Sequence, residues 1–126
     1  MINDGLGPKG GEMVAEALLK SKNKLEVLEV PRNWLENDGF KAIANVLTSM
    51  KSLKHIEMYQ NFVKKEGMEA IIWSLFENEE LQTVHIHDNW LTDSALIDIL
   101  CDYLISAKCL KSLNLSDCKI KGINVY

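Results

Sequence analysis

The residues best suited to chemistry in this chain of 126 are three histidines. His85 and His87 stand two apart with Asp88 beside them, and His55 lies one repeat upstream. Imidazoles two apart on a strand share a face and could begin a zinc site if further ligands joined them. His55 falls in a different column of the internal period from His85. The sequence therefore predicts no metal and no cofactor, and His85 and His87 read as solvent-facing groups of a binding surface. Gly5-Leu-Gly-Pro-Lys-Gly-Gly11 is glycine-rich, but no buried strand precedes it and no acidic residue of a dinucleotide site follows. Turn geometry is the expected explanation. The sequence contains no GxSxG, no GxxxxGK[ST], no HExxH and no EF-hand loop, so nothing predicts an enzyme. Cys101, Cys109 and Cys118 are odd in number and lack CxxC spacing, which predicts reduced thiols in the interior. The sequon Asn114-Leu-Ser116 lies in a predicted strand and reads as accidental.

A second group suits binding. Trp34 and Trp90 occupy matching places in the chain, with Phe62 at the matching place between them, and the three predict an aromatic row along one rim. The net charge is −4, with 47% apolar and 25% charged residues, as in an ordinary globular domain. No clustered basic face speaks for nucleic acid. No run reaches the ~20 apolar residues of a membrane span, and the first residues lack the pattern of a signal peptide.

These side chains must be positioned by repeated elements. Leu25-Glu-Val-Leu-Glu-Val-Pro-Arg-Asn33-Trp-Leu35 returns from Leu53 to Val63, from Leu81 to Leu91 and from Leu110 to Ile120, at spacings of 28, 28 and 29 residues. Each copy fits LxxLxLxx(N/C)xL, the leucine-rich repeat signature. The alternation turns Leu28/Val30, Ile56/Met58, Val84/Ile86 and Leu113/Leu115 to one face of a short strand, and Glu29, Glu57, His85 and Asn114 to the other. Asn33, Asn61 and Asn89, with Cys118 in the fourth copy, should form a buried ladder that satisfies turn amides. Helices follow, with stripes Met13/Val14/Ala17/Leu18, Phe40/Ile43/Ala44/Leu47, Met68/Ile71/Ile72/Leu75 and Leu96/Ile99/Leu100/Tyr103/Leu104. Gly10, Gly11, Gly39 and Gly67 are expected in tight turns before them.

The predicted fold is α/β, a leucine-rich repeat solenoid with a parallel concave sheet and helices on its convex side. It is one domain over 1–126, with a partial repeat at 1–24, full repeats at 25–52, 53–80 and 81–109, and a truncated repeat at 110–126. Neither end carries a polar cap, so the chain reads as a piece of a longer solenoid able to self-associate through its uncapped ends.

The wording of the repeats is more specific than the period. Asn3-Asp-Gly-Leu-Gly-Pro-Lys-Gly-Gly, Pro31-Arg-Asn-Trp-Leu-Glu-Asn-Asp-Gly39, Met58-Tyr-Gln-Asn61 with Glu66-Gly67-Met-Glu, Asp88-Asn-Trp-Leu-Thr92 and Leu113-Asn-Leu-Ser-Asp-Cys118 follow in order. Together they resemble the GTPase-activating proteins of the small GTPase Ran. Arg32-Asn33-x-Leu35-Glu36-Asn37 is similar to that family's GRNRLEN segment, with Pro31 in place of its Gly and Trp34 in place of its second Arg. The resemblance implies a cytoplasmic activator, at the nuclear envelope among other places, that binds a Ran-like GTPase in its GTP-bound form. It implies hydrolysis accelerated without an arginine finger, by orienting the GTPase's own glutamine. Asn3 matches the orienting asparagine, whose amide can both donate to and accept from that glutamine. The strand-to-helix loops carrying Glu36, Asn37, Lys64, Lys65 and Asp93 would face the GTPase, together with Arg32, Trp34, Tyr59, His85, His87 and Trp90. The other reading is a non-catalytic protein-binding module that uses the columns Glu29, Glu57, His85 and Pro31, Tyr59, His87.

Overall fold

A computed structural model describes residues 2, 4–21, 24–91 and 93–118. Helices and strands alternate: α1 (Gly7–Ser21), β1 (Val27–Glu29), α2 (Glu36–Leu47), β2 (His55–Glu57), α3 (Lys65–Leu75), β3 (Thr83–His85), α4 (Ser94–Ser106) and β4 (Ser112–Asn114). Each strand is three residues long and centred on the first apolar residue of the LxL core, Leu28, Ile56, Val84 or Leu113. They form one parallel sheet in the order β1-β2-β3-β4, and parallel neighbours need a crossover of the length each helix supplies. The register follows the sequence period: Val27 pairs with His55, His55 with Thr83 and Thr83 with Ser112. Strands touch their neighbouring strands, and each helix touches the next helix. This is an α/β repeat architecture.

The core lies between the inner face of the sheet and the helix row. Leu28, Ile56 and Val84 are buried at the strand centres, and Val30, Met58 and Ile86 two residues on. In α2 and α3 every residue of the expected stripe is buried, from Phe40 to Leu47 and from Met68 to Leu75. Full burial of a side chain the size of Phe40 or Ile71 contributes ~1.5–3 kcal/mol.

The end helices depart from expectation. In α1 the buried side chains are Val14, Ala15 and Leu18, beside the buried Gly10 and Gly11, while Met13 and Ala17 are exposed. Met-Val-Ala-Glu-Ala-Leu offers two stripes one residue apart, and contact with α2 selects the second. In α4 Leu96, Leu100 and Tyr103 are buried, Ile99 is half-buried and Leu104 is exposed.

The glycines also correct the sequence reading. Gly10, Gly11, Gly39 and Gly67 lie inside helices, where the demand is for space rather than for turn geometry. A Cβ on Gly11 would sit 2.5 Å from Gly39 Cα, so the backbones of α1 and α2 meet with no room for a methyl group. The positive-φ glycines are Gly5 and Gly7, at the entry to α1.

The asparagine ladder forms as expected. Asn33, Asn61 and Asn89 are buried. Asn33 Oδ1 accepts from the Asp4 amide (2.9 Å), Asn61 Oδ1 from the Asn33 amide (2.8 Å) and Asn89 Oδ1 from the Asn61 amide (3.0 Å). Asn61 Nδ2 donates to the carbonyl of Val30, Asn89 Nδ2 to that of Met58, and the Cys118 thiol lies 3.7 Å from that of Ile86. A further buried asparagine, Asn78, donates to the Leu47 carbonyl at the end of α2 (2.8 Å). Such bonds satisfy carbonyls that the last turn of a helix leaves open.

Candidate functional site

Two surfaces meet where the strands end: the polar outer face of the sheet and the edge made by the loops that lead into the helices. The loops share a backbone device. Arg32, Gln60, Asp88 and Asp117, each just before a ladder residue, have φ of 56°, 56°, 54° and 53°. Left-handed backbone is uncommon for residues with side chains and raises the energy by ~1–3 kcal/mol. The ladder hydrogen bonds around each position hold it there. Trp34 and Phe62, just after the ladder residue, are also left-handed, at 57° and 58°.

That conformation turns the two rings outward. Trp34 is 54% exposed and Phe62 46%, with ring centroids 4.5 Å apart. Trp90, the third member of the expected row, is half-buried, with Lys64 Nζ 5.2 Å from its ring centre. The strand side of the edge carries a second stack. The Arg32 guanidinium lies 5.7 Å from the Tyr59 ring centre, and the Tyr59 and His87 rings stack at 4.3 Å and 14°. Arg32, Tyr59 and His87 thus join three consecutive repeats. Large flat rings with little rotameric entropy to lose, flanked by cations, are what protein-binding surfaces concentrate.

Other predicted residues have internal partners. Asn37 Oδ1 accepts from the amides of Lys64 (2.9 Å) and Gly67 (3.2 Å), and its Nδ2 donates to Glu66 (3.0 Å). Lys64 stands at the N-cap of α3 with no side-chain cap of its own, and Asn37 of the preceding repeat supplies one. Lys65 pairs with Asp93 at 2.8 Å, and Asp93 also caps α4 by accepting from the Ala95 amide (2.8 Å). The hydrogen bond with Asp93 holds the Lys65 amine above its ordinary range. The bond with Lys65, then that from Ala95, holds the Asp93 carboxyl below the usual carboxylate range. Glu36 is exposed at the start of α2. Asn3 lies outside the described residues.

On the sheet face a polar chain crosses all four strands. His55 Nε2 stands 3.5 Å from Glu29 and 3.2 Å from Glu57. His85 Nδ1 is 3.3 Å from Glu57, and its Nε2 is 3.1 Å from Ser112 Oγ. Glu29 and Glu57 are direct partners across β1 and β2, an arrangement of like charges that destabilises a sheet unless something lies between them. His85 and His87 do not converge on a common point: their ring centres are 6.3 Å apart, and His87 faces Tyr59. The potential ligands that do converge, among the described residues, are Glu29, His55 and Glu57. The sequence reading put His55 in a separate column and so missed this grouping. The column assignment is correct, but the imidazole reaches diagonally between strands.

The cysteines need one correction. Cys118 is buried in the ladder, whereas Cys101 and Cys109 are exposed. Cys101 follows the buried Leu100 and is turned ~100° away from it around α4. Among the described residues no helix is long and apolar enough to cross a membrane.

A search of curated proteins gives no match. A family model of the leucine-rich repeat matches residues 106–122, a stretch that runs through β4 and its ladder cysteine. The pattern there, Leu110 to Cys118, is the one that starts again at Leu25, Leu53 and Leu81 in the strands of one parallel sheet, so the matched segment is similar to a leucine-rich repeat and the chain repeats its pattern.

Proposed function

We propose that the loop edge docks a protein partner, that this partner is a Ran-like small GTPase in its GTP-bound form, and that the chain is a segment of a longer leucine-rich repeat solenoid acting as a GTPase activator. The observation that carries the docking edge is the Trp34–Phe62 pair: two large rings held half out of the protein on left-handed backbone. Strained backbone that exposes apolar surface lowers the stability of the free protein, and a partner that buries both rings recovers apolar area at ~25 cal/mol per Å². Support for the GTPase is the resemblance of the Asn3 opening and the Arg32–Asn37 segment to Ran activators. On this reading Arg32, Trp34, Tyr59, Lys64, His87 and Trp90 contact the GTPase. Asn37, Lys65 and Asp93 hold the loops in shape, and Asn3 orients the catalytic glutamine. The chain performs no covalent chemistry of its own; a residue that aligns another protein's glutamine acts through orientation. Such an activator works in the cytoplasm, including the nuclear envelope.

The test is single-turnover GTP hydrolysis by Ran with this chain and with a chain carrying further repeats upstream. Acceleration by the longer chain, reduced by Asn3→Ala far more than binding is weakened, is the expected result for a contact made in the transition state. No acceleration by either chain would overturn the activator reading. Loss of Ran·GTP binding on Trp34→Gly, with the fold intact, is expected of the docking edge. Unchanged binding would move the interface to the sheet face, where Glu29, Glu57 and His85 lie.

A further inference from the structure

We propose that Glu29, His55 and Glu57 form a binding site for a divalent transition-metal ion, zinc foremost, on the outer face of the sheet. The inference is independent of the docking edge. The three residues come from two adjacent strands, β1 and β2, and each offers one ligand atom within 4.8 Å of the others.

Two features fit the group to a metal ion. The first is spacing. Zinc bonds to imidazole nitrogen and carboxylate oxygen are ~2.0–2.2 Å in a tetrahedral shell, which sets neighbouring ligand atoms ~3.3–3.6 Å apart. His55 Nε2 stands 3.2 Å from Glu57 Oε1 and 3.5 Å from Glu29 Oε1, close to that edge length. The second is direction. His55 Nε2 is a buried atom without a hydrogen bond, although two carboxylate oxygens lie within 3.5 Å of it. In a histidine–carboxylate hydrogen bond the N–H points at the oxygen. In a metal site nitrogen and oxygen lie side by side, both pointing at a third place. Here the nitrogen and the two oxygens lie close together without a hydrogen bond between them, and an ion held by all three would satisfy the nitrogen.

Charge argues the same way. Glu29 and Glu57 are paired across the strands, and a divalent cation between them converts repulsion into two attractive contacts. Two carboxylates and one imidazole suit zinc, manganese, iron(II) or cobalt better than copper(I), which prefers sulfur. Three protein ligands leave a coordination position for water or for an acidic group of a partner. His85, 3.3 Å from Glu57 Oε1, is placed to orient that carboxylate from outside the shell, as such neighbours of metal ligands do.

The experiment uses the full chain with Cys101→Ser and Cys109→Ser, which removes the exposed thiols as competing ligands. Zinc is titrated by calorimetry, cobalt(II) absorption reports the coordination number, and far-UV circular dichroism monitors the fold. One zinc per chain is expected, with at least a tenfold loss of affinity in each of His55→Gln, Glu29→Gln and Glu57→Gln and no change in His87→Gln. Glu29→Gln should keep its fold in EDTA while losing any rise in melting temperature caused by zinc, a pattern that a purely structural carboxylate would not give. Absence of zinc binding in the parent, affinity that survives His55→Gln, or equal loss in His87→Gln would each overturn the site.

Discussion

Gly11→Ala puts the packing of α1 on α2 to a test in which two effects of known sign oppose each other. Gly11 lies inside α1, and alanine there improves helix propensity by ~0.8–1.0 kcal/mol. Against this, the new methyl would stand 2.5 Å from Gly39 Cα and 3.1 Å from the Gly39 carbonyl carbon and oxygen. Favourable carbon–carbon contact begins near ~3.5 Å, so the helices must part by roughly 1 Å, because backbone atoms cannot rotate aside as a side-chain end can. A gap of that size gives up ~25–50% of the dispersion well at each contact it opens, across the seam that buries Val14, Ala15 and Leu18. Overpacking of this kind costs ~1–3 kcal/mol. The steric term wins, and the expected net loss is about 1–2 kcal/mol. With an m-value of about 2 kcal/mol/M in urea, the unfolding midpoint should fall by about 0.5–1 M, measured by far-UV circular dichroism. Gly39→Ala, whose methyl would meet Leu35 Cβ at 2.9 Å and the Pro8 backbone at 3.5 Å, should lose less. A midpoint for Gly11→Ala at or above that of the parent, or a larger loss in Gly39→Ala, would refute this account of the seam.

Asn61→Ala should destabilise the chain by about 3–5 kcal/mol, since it leaves the buried Asn33 amide without its acceptor and strips a donor from the carbonyls of Val30 and Met58; the same change at the exposed Asn45 should cost under about 0.5 kcal/mol, both read from urea titrations. Burial pushes the Cys118 thiol up, so a thiol reagent should modify Cys101 and Cys109 promptly and Cys118 only on unfolding. Because its folded pKa is raised, the neutral thiol carries no penalty below the ordinary value of ~8.5, and stability should decline as pH climbs above it. Cys118→Ala should flatten that decline, as followed by urea midpoints from pH about 8 to 9.5.

What depends on period was legible in the sequence, and what depends on reach was not. The strands, the ladder asparagines and the stripes of α2 and α3 follow from alternation and from 3.6-residue spacing, so one pass along the chain finds them. The choice between Ala15 and Ala17 in α1, and the exposure of Cys101 in α4, depend on how far each end helix is rotated, and neighbours decide that; Cys109 is exposed in the segment between α4 and β4. Asn37 is expected among the residues facing the partner because it lies in the segment that resembles Ran activators. Nothing in its spacing displays that its side-chain amide also serves α3, which begins a full repeat later. His55 reaches two glutamates on a diagonal that no linear spacing displays. Gly39 and Gly67 recur at the right interval, yet the sequence could not tell a tight bend from a close helix approach, since both exclude a Cβ.

The ladder also has a direction. Every rung reaches toward lower residue numbers: Asn33 serves Asp4, Asn61 serves Asn33 and Val30, Asn89 serves Asn61 and Met58, and Cys118 faces Ile86. Each repeat therefore completes its predecessor and leaves its own amide to its successor. Among the ladder side chains, loss of a repeat from the high-numbered end orphans an amide and a carbonyl in the repeat before it, whereas loss from the low-numbered end leaves a side-chain oxygen such as Asn33 Oδ1 without its donor. The ladder side chains thus carry dependence from the β4 side toward α1, while the strand amides, which donate to the carbonyl of the preceding repeat at Glu26, Lys54 and Gln82, carry it the other way.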